Sequence, residues 1–330
     1  MATGKKVYNV AIVGCGAFSK HAHIPGIEVS PRLRLYAAVT RRPETAEALQ
    51  QQYDLVYACN DEQRVLDDPE VDLVIIATRH DLHPEQIARA ARAGKAILAE
   101  KPLALSVEAC DRVVAIVAET QVPFAVGLNR RSSPFSQPIR ACLASASRPV
   151  MAEYHWFNAP WGLSWAFDPN QGGGKLVSSG CHMFDYLHYL LGTEPVRVFA
   201  RGGRFRYGEQ IETLDTAAVL VEYADGSVAS VTTGEFGHAD YPQERLTFFT
   251  DRGVIEMEDF VRMRASGFDA APIELPKQEK GFARQLEAMV ELMEVRSTEL
   301  ADARAGRMAT AVAVAATRAV STGQVQPVPA

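Results

Sequence analysis

Val7-Tyr8-Asn9-Val10-Ala11-Ile12-Val13-Gly14-Cys15-Gly16-Ala17-Phe18 carries the first decision about architecture. An apolar run of strand length ends in a glycine turn and gives way to a helical pattern. Glycine at that turn lets backbone N–H groups come up to the phosphates of a dinucleotide. The third glycine of the usual fingerprint is absent, and Ser19 stands in its place. Alone the turn is equally an ordinary strand-to-helix connection, so the segments around it decide. Strand-like runs recur at 33–39, 71–77, 96–99 and 124–128, separated by helical patterns at 18–29, 44–52, 84–93 and 107–119. Pro25 and Gly26 weaken the middle of the first of these helices or mark a kink, and Gly94 stops the third. Strands alternating with helices imply a parallel sheet covered on both faces.

After about residue 129 the pattern changes. Strand-like segments at 196–206, 217–223, 227–233, 245–250 and 254–258 follow one another without helices, with turns at Ala224-Asp225-Gly226 and Asp251-Arg252-Gly253. Two helical stretches, 281–293 and 304–320, close the chain. We therefore expect an α/β domain over 1–128 and an α+β domain over 129–330 with an open, mainly antiparallel sheet.

Composition narrows the function. The 330 residues are 47% apolar and carry 34 Lys plus Arg against 40 Asp plus Glu, a net charge of -6. That balance argues against nucleic-acid binding. No apolar run approaches membrane-spanning length, and no segment has the pattern of a secretory signal. A cytoplasmic protein is expected. The five scattered cysteines include no CxxC pair, and no zinc site is expected.

Val39-Thr40-Arg41-Arg42 ends the second strand. NAD sites usually place an acid there for the adenosine ribose, whereas a hydroxyl and two arginines suit a 2′-phosphate. NADP is thus the expected cofactor, with NAD the alternative if Arg41 and Arg42 are merely solvated.

Gly14-Cys15-Gly16, Ala77-Thr78 with His83, Glu100-Lys101-Pro102, Gly127-Leu128-Asn129-Arg130-Arg131, Gly172-Gly173-Gly174 and Gly180-Cys181-His182-Met183-Phe184-Asp185 together resemble the Gfo/Idh/MocA oxidoreductase family. The resemblance implies a Rossmann domain, a sheet used for a homodimer or homotetramer, and hydride exchange with a sugar, amino sugar or cyclitol. It places Lys101 at the substrate carbinol as acid/base, assisted by His182, and implies that the peptide bond before Pro102 can be cis. With the readings above, it puts Gly14, Gly16, Ala17, Phe18, Thr40, Arg41, Arg42, Ala77, Thr78, His80, His83, Glu100, Lys101, Asn129 and Arg131 around the cofactor.

Residues 175–191 read as a buried helix on which Ser178, His182 and Asp185 share one face at i, i+4 and i+7. Many family members have an aspartate at the position of Ser178. A hydroxyl can position His182 or a substrate hydroxyl, but it cannot stabilise an imidazolium as a carboxylate does. All three tryptophans, Trp156, Trp161 and Trp165, lie in one segment read as an aromatic loop. The rings either stack on a sugar or inositol, with Asn158 and Asp168 near its hydroxyls, or fill a junction or subunit interface. A silent cofactor-binding regulator, or a reductase of a C=N or tetrapyrrole substrate, is the alternative function.

Overall fold

The computed structural model describes residues 5–158, 160, 162–238, 240–295 and 298–330. In chain order its first elements are β1 (Tyr8–Val13), α1 (Ala17–Ala22), α2 (Ile24–Val29), β2 (Leu33–Val39), α3 (Pro43–Gln52), β3 (Tyr57–Cys59), α4 (Glu62–Asp67), β4 (Leu73–Ile76), α5 (His83–Arg92), β5 (Ala96–Ala99), α6 (Val107–Thr120) and β6 (Phe124–Val126). Then come α7 (Ser136–Ala144), β7 (Met151–Phe157), α8 (Cys181–Leu191), β8 (Pro195–Gly203), β9 (Thr216–Tyr223), β10 (Val228–Gly234), β11 (Glu244–Phe249), β12 (Val254–Glu258), β13 (Arg262–Ser266), β14 (Ile273–Glu274), α9 (Phe282–Val295), α10 (Ala303–Thr322) and β15 (Gln326–Pro327). Contacts divide them into two units.

The first unit is a six-stranded parallel sheet in the order β3-β2-β1-β4-β5-β6. Val10, Ile12, Leu73, Ile75 and Leu98 are fully buried, as continuous apolar runs must be when helices cover both faces. The chain winds outward from β1 through β2 to β3, then returns to place β4 on the other side of β1. Ligands bind outside the carboxyl ends of strands at such a reversal.

The helix expected over 18–29 is two six-residue helices broken at His23. Pro25 sits in the first turn of α2, where its missing N–H costs nothing. Residues 57–59 and 62–67, too short for a periodic signal, are an additional strand and helix. Asp61 caps α4 by accepting from the Gln63 N–H at 2.9 Å. The first unit also takes in Gly281–Gly306, which a single cut after residue 128 leaves out. Leu286, Met289 and Val290 of α9 join the Rossmann core, and Gln285 Nε2 donates to the Val126 carbonyl at 3.2 Å.

The second unit is built on a nine-stranded sheet in the order β14-β13-β12-β11-β7-β10-β9-β8-β15. Both expected hairpin turns join neighbouring strands, β9 to β10 and β11 to β12. Residues 153–157, the start of a segment expected to be an aromatic loop, instead belong to strand β7. Side chains along β7 alternate, with Ala152, Tyr154 and Trp156 buried. Aromatic residues on both faces of β7 hid that alternation from a hydropathy reading. Among the described strands, β7 and β10 form the one parallel pair of this sheet. The inner face packs on α7, α8 and α10 through Ile139, Leu187, Val312 and Ala316. Among the described residues no helix is long and apolar enough to cross a membrane.

Candidate active site

In the first unit, the expected cofactor residues gather where the parallel strands end. Gly14 has φ +90°, and a Cβ there would lie 2.5 Å from the Ala77 carbonyl oxygen. Only glycine fits that crossing of β1 and β4. Gly16 is different, because a Cβ at Gly16 would meet nothing within 4 Å. That open space above the turn is the room a pyrophosphate needs. Ala17 and Phe18 follow at the helix start, where N–H groups have no intrahelical acceptor. Ser19, in place of the third glycine, turns its buried hydroxyl inward to the Gly14 carbonyl at 3.0 Å and closes the turn.

Thr40, Arg41 and Arg42 follow β2, with both arginines exposed. Arg42 Nε lies 3.7 Å from Glu44, a solvated pairing of little strength. Ala77 and Thr78 follow β4, half-buried, and Thr78 Oγ1 is 2.5 Å from Gln86 Oε1. Asn129 and Arg130 are buried in a 3-10 turn after β6, whereas Arg131 is half-buried. These positions fit a dinucleotide laid across the strand ends.

Glu100 and Lys101 leave β5 on the same edge of the sheet. Lys101 is half-buried, its N–H donates to Glu100 Oε2 at 3.3 Å, and the Lys101–Pro102 peptide bond is cis. Glu100 is held in place from two sides. A Cβ on Gly127 would stand 2.6 Å from Glu100 Oε1, and His23 Nε2 lies 3.0 Å from the same oxygen, off the line of a hydrogen bond. His23 is 1% exposed and meets the Phe18 ring edge-on at 5.6 Å. Sequence reasoning missed His23, since nothing local links it to a residue so far along the chain.

His80 is buried against His83, with ring centroids 5.7 Å apart. His83 is fully enclosed, with Nδ1 2.8 Å from the Pro102 carbonyl and Nε2 3.2 Å from that of Thr78. Burial, the largest influence, pushes the His83 imidazole below its ordinary 6.5, although both carbonyls favour the charged form. Below that ordinary value the unfolded chain therefore binds more protons than the native one, and stability falls as pH drops towards the folded value. Calorimetry should show the melting temperature falling from about pH 6.5 downward, with a shallower slope in His83→Gln. The readout is the difference between the two proteins, because half-buried His155 is also pushed down and adds the same sign to both. Identical slopes would refute the assignment.

In the second unit, the buried helix begins differently from expectation. Leu176–Gly180 is a π-helical turn, and the α-helix starts at Cys181. Ser178 thus lies in the wider turn, about one turn before His182, and Asp185 follows in the α-helix. All three are buried. The π-turn is a local departure of the kind found at functional sites.

Trp156 is 7% exposed on β7 and meets the His182 ring at 6.1 Å, edge to face. The ammonium groups of Lys175 and Lys280 lie 5.3 and 5.6 Å from its ring centroid. A ring so enclosed has no open face on which a sugar could stack. Trp165 is 41% exposed in a 3-10 turn, and Trp161 lies outside the described residues. Asp168 is engaged in its own turn, accepting from the Asn170 N–H at 2.7 Å. Asn158 Oδ1 accepts from Lys175 Nζ at 2.8 Å. Among the described residues no group of three His, Cys, Asp or Glu side chains could hold a metal ion.

Residues 8–128 match the family described as "Oxidoreductase family, NAD-binding Rossmann fold", and residues 147–256 match "GFO/IDH/MocA C-terminal domain". The chain is 26% identical over 333 residues to the inositol 2-dehydrogenase of Rhizobium meliloti, covering 94% of this chain and 96% of that one. It is 29% identical over 234 residues to the scyllo-inositol 2-dehydrogenase (NAD(+)) of Bacillus subtilis, covering 69% and 68%. The aldose-aldose oxidoreductase of Caulobacter crescentus superposes with a TM-score of 0.87 at 24% identity, over 98% of this chain and 100% of that one.

Proposed function

This chain belongs to the Gfo/Idh/MocA family of oxidoreductases, and from that premise we propose that it transfers a hydride between NADP and a secondary alcohol or ketone of a sugar, amino sugar or cyclitol. The observation that carries the reading is the position of Lys101. It leaves β5 on the same edge of the parallel sheet at which Gly14 and Gly16 end β1. A bound nicotinamide supplies the hydride acceptor in oxidation and the donor in reduction. Lys101 holds the carbinol oxygen by a hydrogen bond and takes its proton as the alcohol is oxidised, and returns the proton in reduction. His182 assists as proton partner or substrate anchor. His23, Glu100 and Gly127 fix the backbone from which Lys101 projects.

The NADP preference rests on Thr40, Arg41 and Arg42. A charge-assisted hydrogen bond is worth about 1.5–3 kcal/mol, or roughly ten- to a hundredfold in affinity. The inositol-directed relatives point to cyclitols and related rings as first substrates. Free thiols at all five cysteines suit a cytoplasmic enzyme. Exposed Met151 and Phe249, paired across β7 and β11, together with Leu220 suit a homodimer or homotetramer formed through the open sheet.

Purified protein, mixed with inositols, inososes, aldoses or keto-sugars and each cofactor, should give a change in nicotinamide absorbance. NADPH should outperform NADH in kcat/KM by about ten- to a hundredfold, and Arg41→Asp should erase most of that ratio. Equal wild-type values would remove the NADP assignment. Cofactor binding without turnover on any polyol or ketone would remove the enzymatic one.

A further inference from the structure

The second unit buries a lysine almost completely at the start of the π-turn. Lys175 is 1% exposed, its Nζ 2.7 Å from Glu235 Oε1 and 2.8 Å from Asn158 Oδ1, and Glu235 is fully buried. The sheet explains how three residues so distant in sequence meet. β7 and β10 run parallel with Phe157 opposite Gly234, so Asn158 and Glu235, the next residues, leave the sheet at the same end. An antiparallel pair would put them at opposite ends. Lys175 closes over both.

Two further contacts tie this cluster to His182. Lys175 Nζ is 5.3 Å from the Trp156 ring centroid, and the same indole meets the His182 ring at 6.1 Å and 64°. A second pair leans on that indole from Lys280, whose Nζ is 3.0 Å from the fully buried Glu244 and 5.6 Å from the Trp156 centroid. Tyr154, two residues before Trp156 on β7, donates to Glu244 at 2.5 Å. Trp156 is therefore held by two lysines, each matched by a buried carboxylate.

We propose that Lys175 is a positioning residue: through its pair with Glu235 and its contact with Trp156 it fixes the ring orientation of His182. The pair is poor value as a stabiliser, because desolvating two charges offsets most of their attraction. What it supplies is direction. Asn158, Glu235 and the indole give the ammonium one geometry, and the helix carrying His182 begins six residues beyond Lys175. Ser178, one turn before His182, carries no charge with which to do this. The proposal rests on the reading of His182 as a site residue, and its test needs no substrate.

Full-length protein labelled with 15N-histidine reports the tautomer of each of the eight histidines, and His182→Gln identifies the resonance of interest. In the wild type His182 should give the nitrogen shifts of a single tautomer. The double variant Lys175→Met/Glu235→Leu removes both charges together, a replacement buried pairs tolerate. It should melt near the wild type, yet show His182 shifts averaged between tautomers, with those of His23 and His83 unchanged. Unaltered His182 shifts in the folded double variant would overturn the proposal. Trp156→Phe keeps the ion pair but loses the indole, and carries the same expectation should the double variant not fold. Lys175→Arg, which keeps the charge, should restore the single-tautomer pattern, and averaging there as well would count against positioning. If the shifts change as expected but His182→Gln keeps full turnover, the positioning stands and the catalytic reading of His182 fails.

Discussion

Lys101→Met should bind its nicotinamide cofactor with wild-type affinity and turn substrate over about 10²–10⁴ times more slowly, a loss of roughly 3–5 kcal/mol of transition-state stabilisation. Methionine keeps much of the length of the side chain but can neither donate to the carbinol oxygen nor take its proton. The backbone that carries the residue should be undisturbed, because Glu100 is held by His23 and the close approach of Gly127. Single-turnover mixing with pre-bound cofactor separates chemistry from binding, and fluorescence titration with NADPH checks the binding. Wild-type turnover in the variant would end the assignment of Lys101.

The second large effect is expected at Gly14. A Cβ there would stand 2.5 Å from the Ala77 oxygen and 2.8 Å from Thr78 Cγ2, on a backbone with φ +90°. The positive φ costs about 1–2 kcal/mol and the overlap about 1–3 more. Gly14→Ala should thus lose about 2–5 kcal/mol in denaturant unfolding. It should also bind cofactor poorly, because the ends of β1 and β4 must part. Gly16→Ala is the informative contrast. With nothing within 4 Å of the added carbon, it should melt like the wild type and still bind cofactor at least about tenfold more weakly, which is about 1.4 kcal/mol. A wild-type cofactor affinity in Gly16→Ala would place the pyrophosphate elsewhere.

The parts of this molecule that sequence made legible are those whose signal is local. Glycine after an apolar strand, repeated strand and helix alternation and Asp-Gly at 225–226 each act over a few residues, and the corresponding elements appear where expected. Residues 57–59 and 62–67 are too short for any period to show. β7 was obscured because Met151, His155 and Phe157 on its outer face read as apolar or aromatic alongside Tyr154 and Trp156 on its inner face. The contacts that shape the candidate site depend on chain crossings instead. His23 meets Glu100 across 77 intervening peptide links, and Lys175 meets Glu235 across 60. Their pairing follows from strand order and from the parallel run of β7 beside β10, neither of which is written locally.

Helix α9 gives the molecule a timetable. Leu286 packs against Gly26, Arg32 pairs with Glu294, and the Val126 N–H donates to the Ala301 carbonyl at 2.8 Å. The nucleotide-binding half cannot close its core until synthesis has passed Gly306. Meanwhile the nascent sheet exposes the apolar surface that Leu286, Met289, Val290 and Leu300 will cover. Neither half corresponds to one continuous stretch of coding sequence. Recombination that exchanges the second unit must therefore leave Gly281–Gly306 behind, so this scaffold changes more readily by substituting residues within it than by trading its halves.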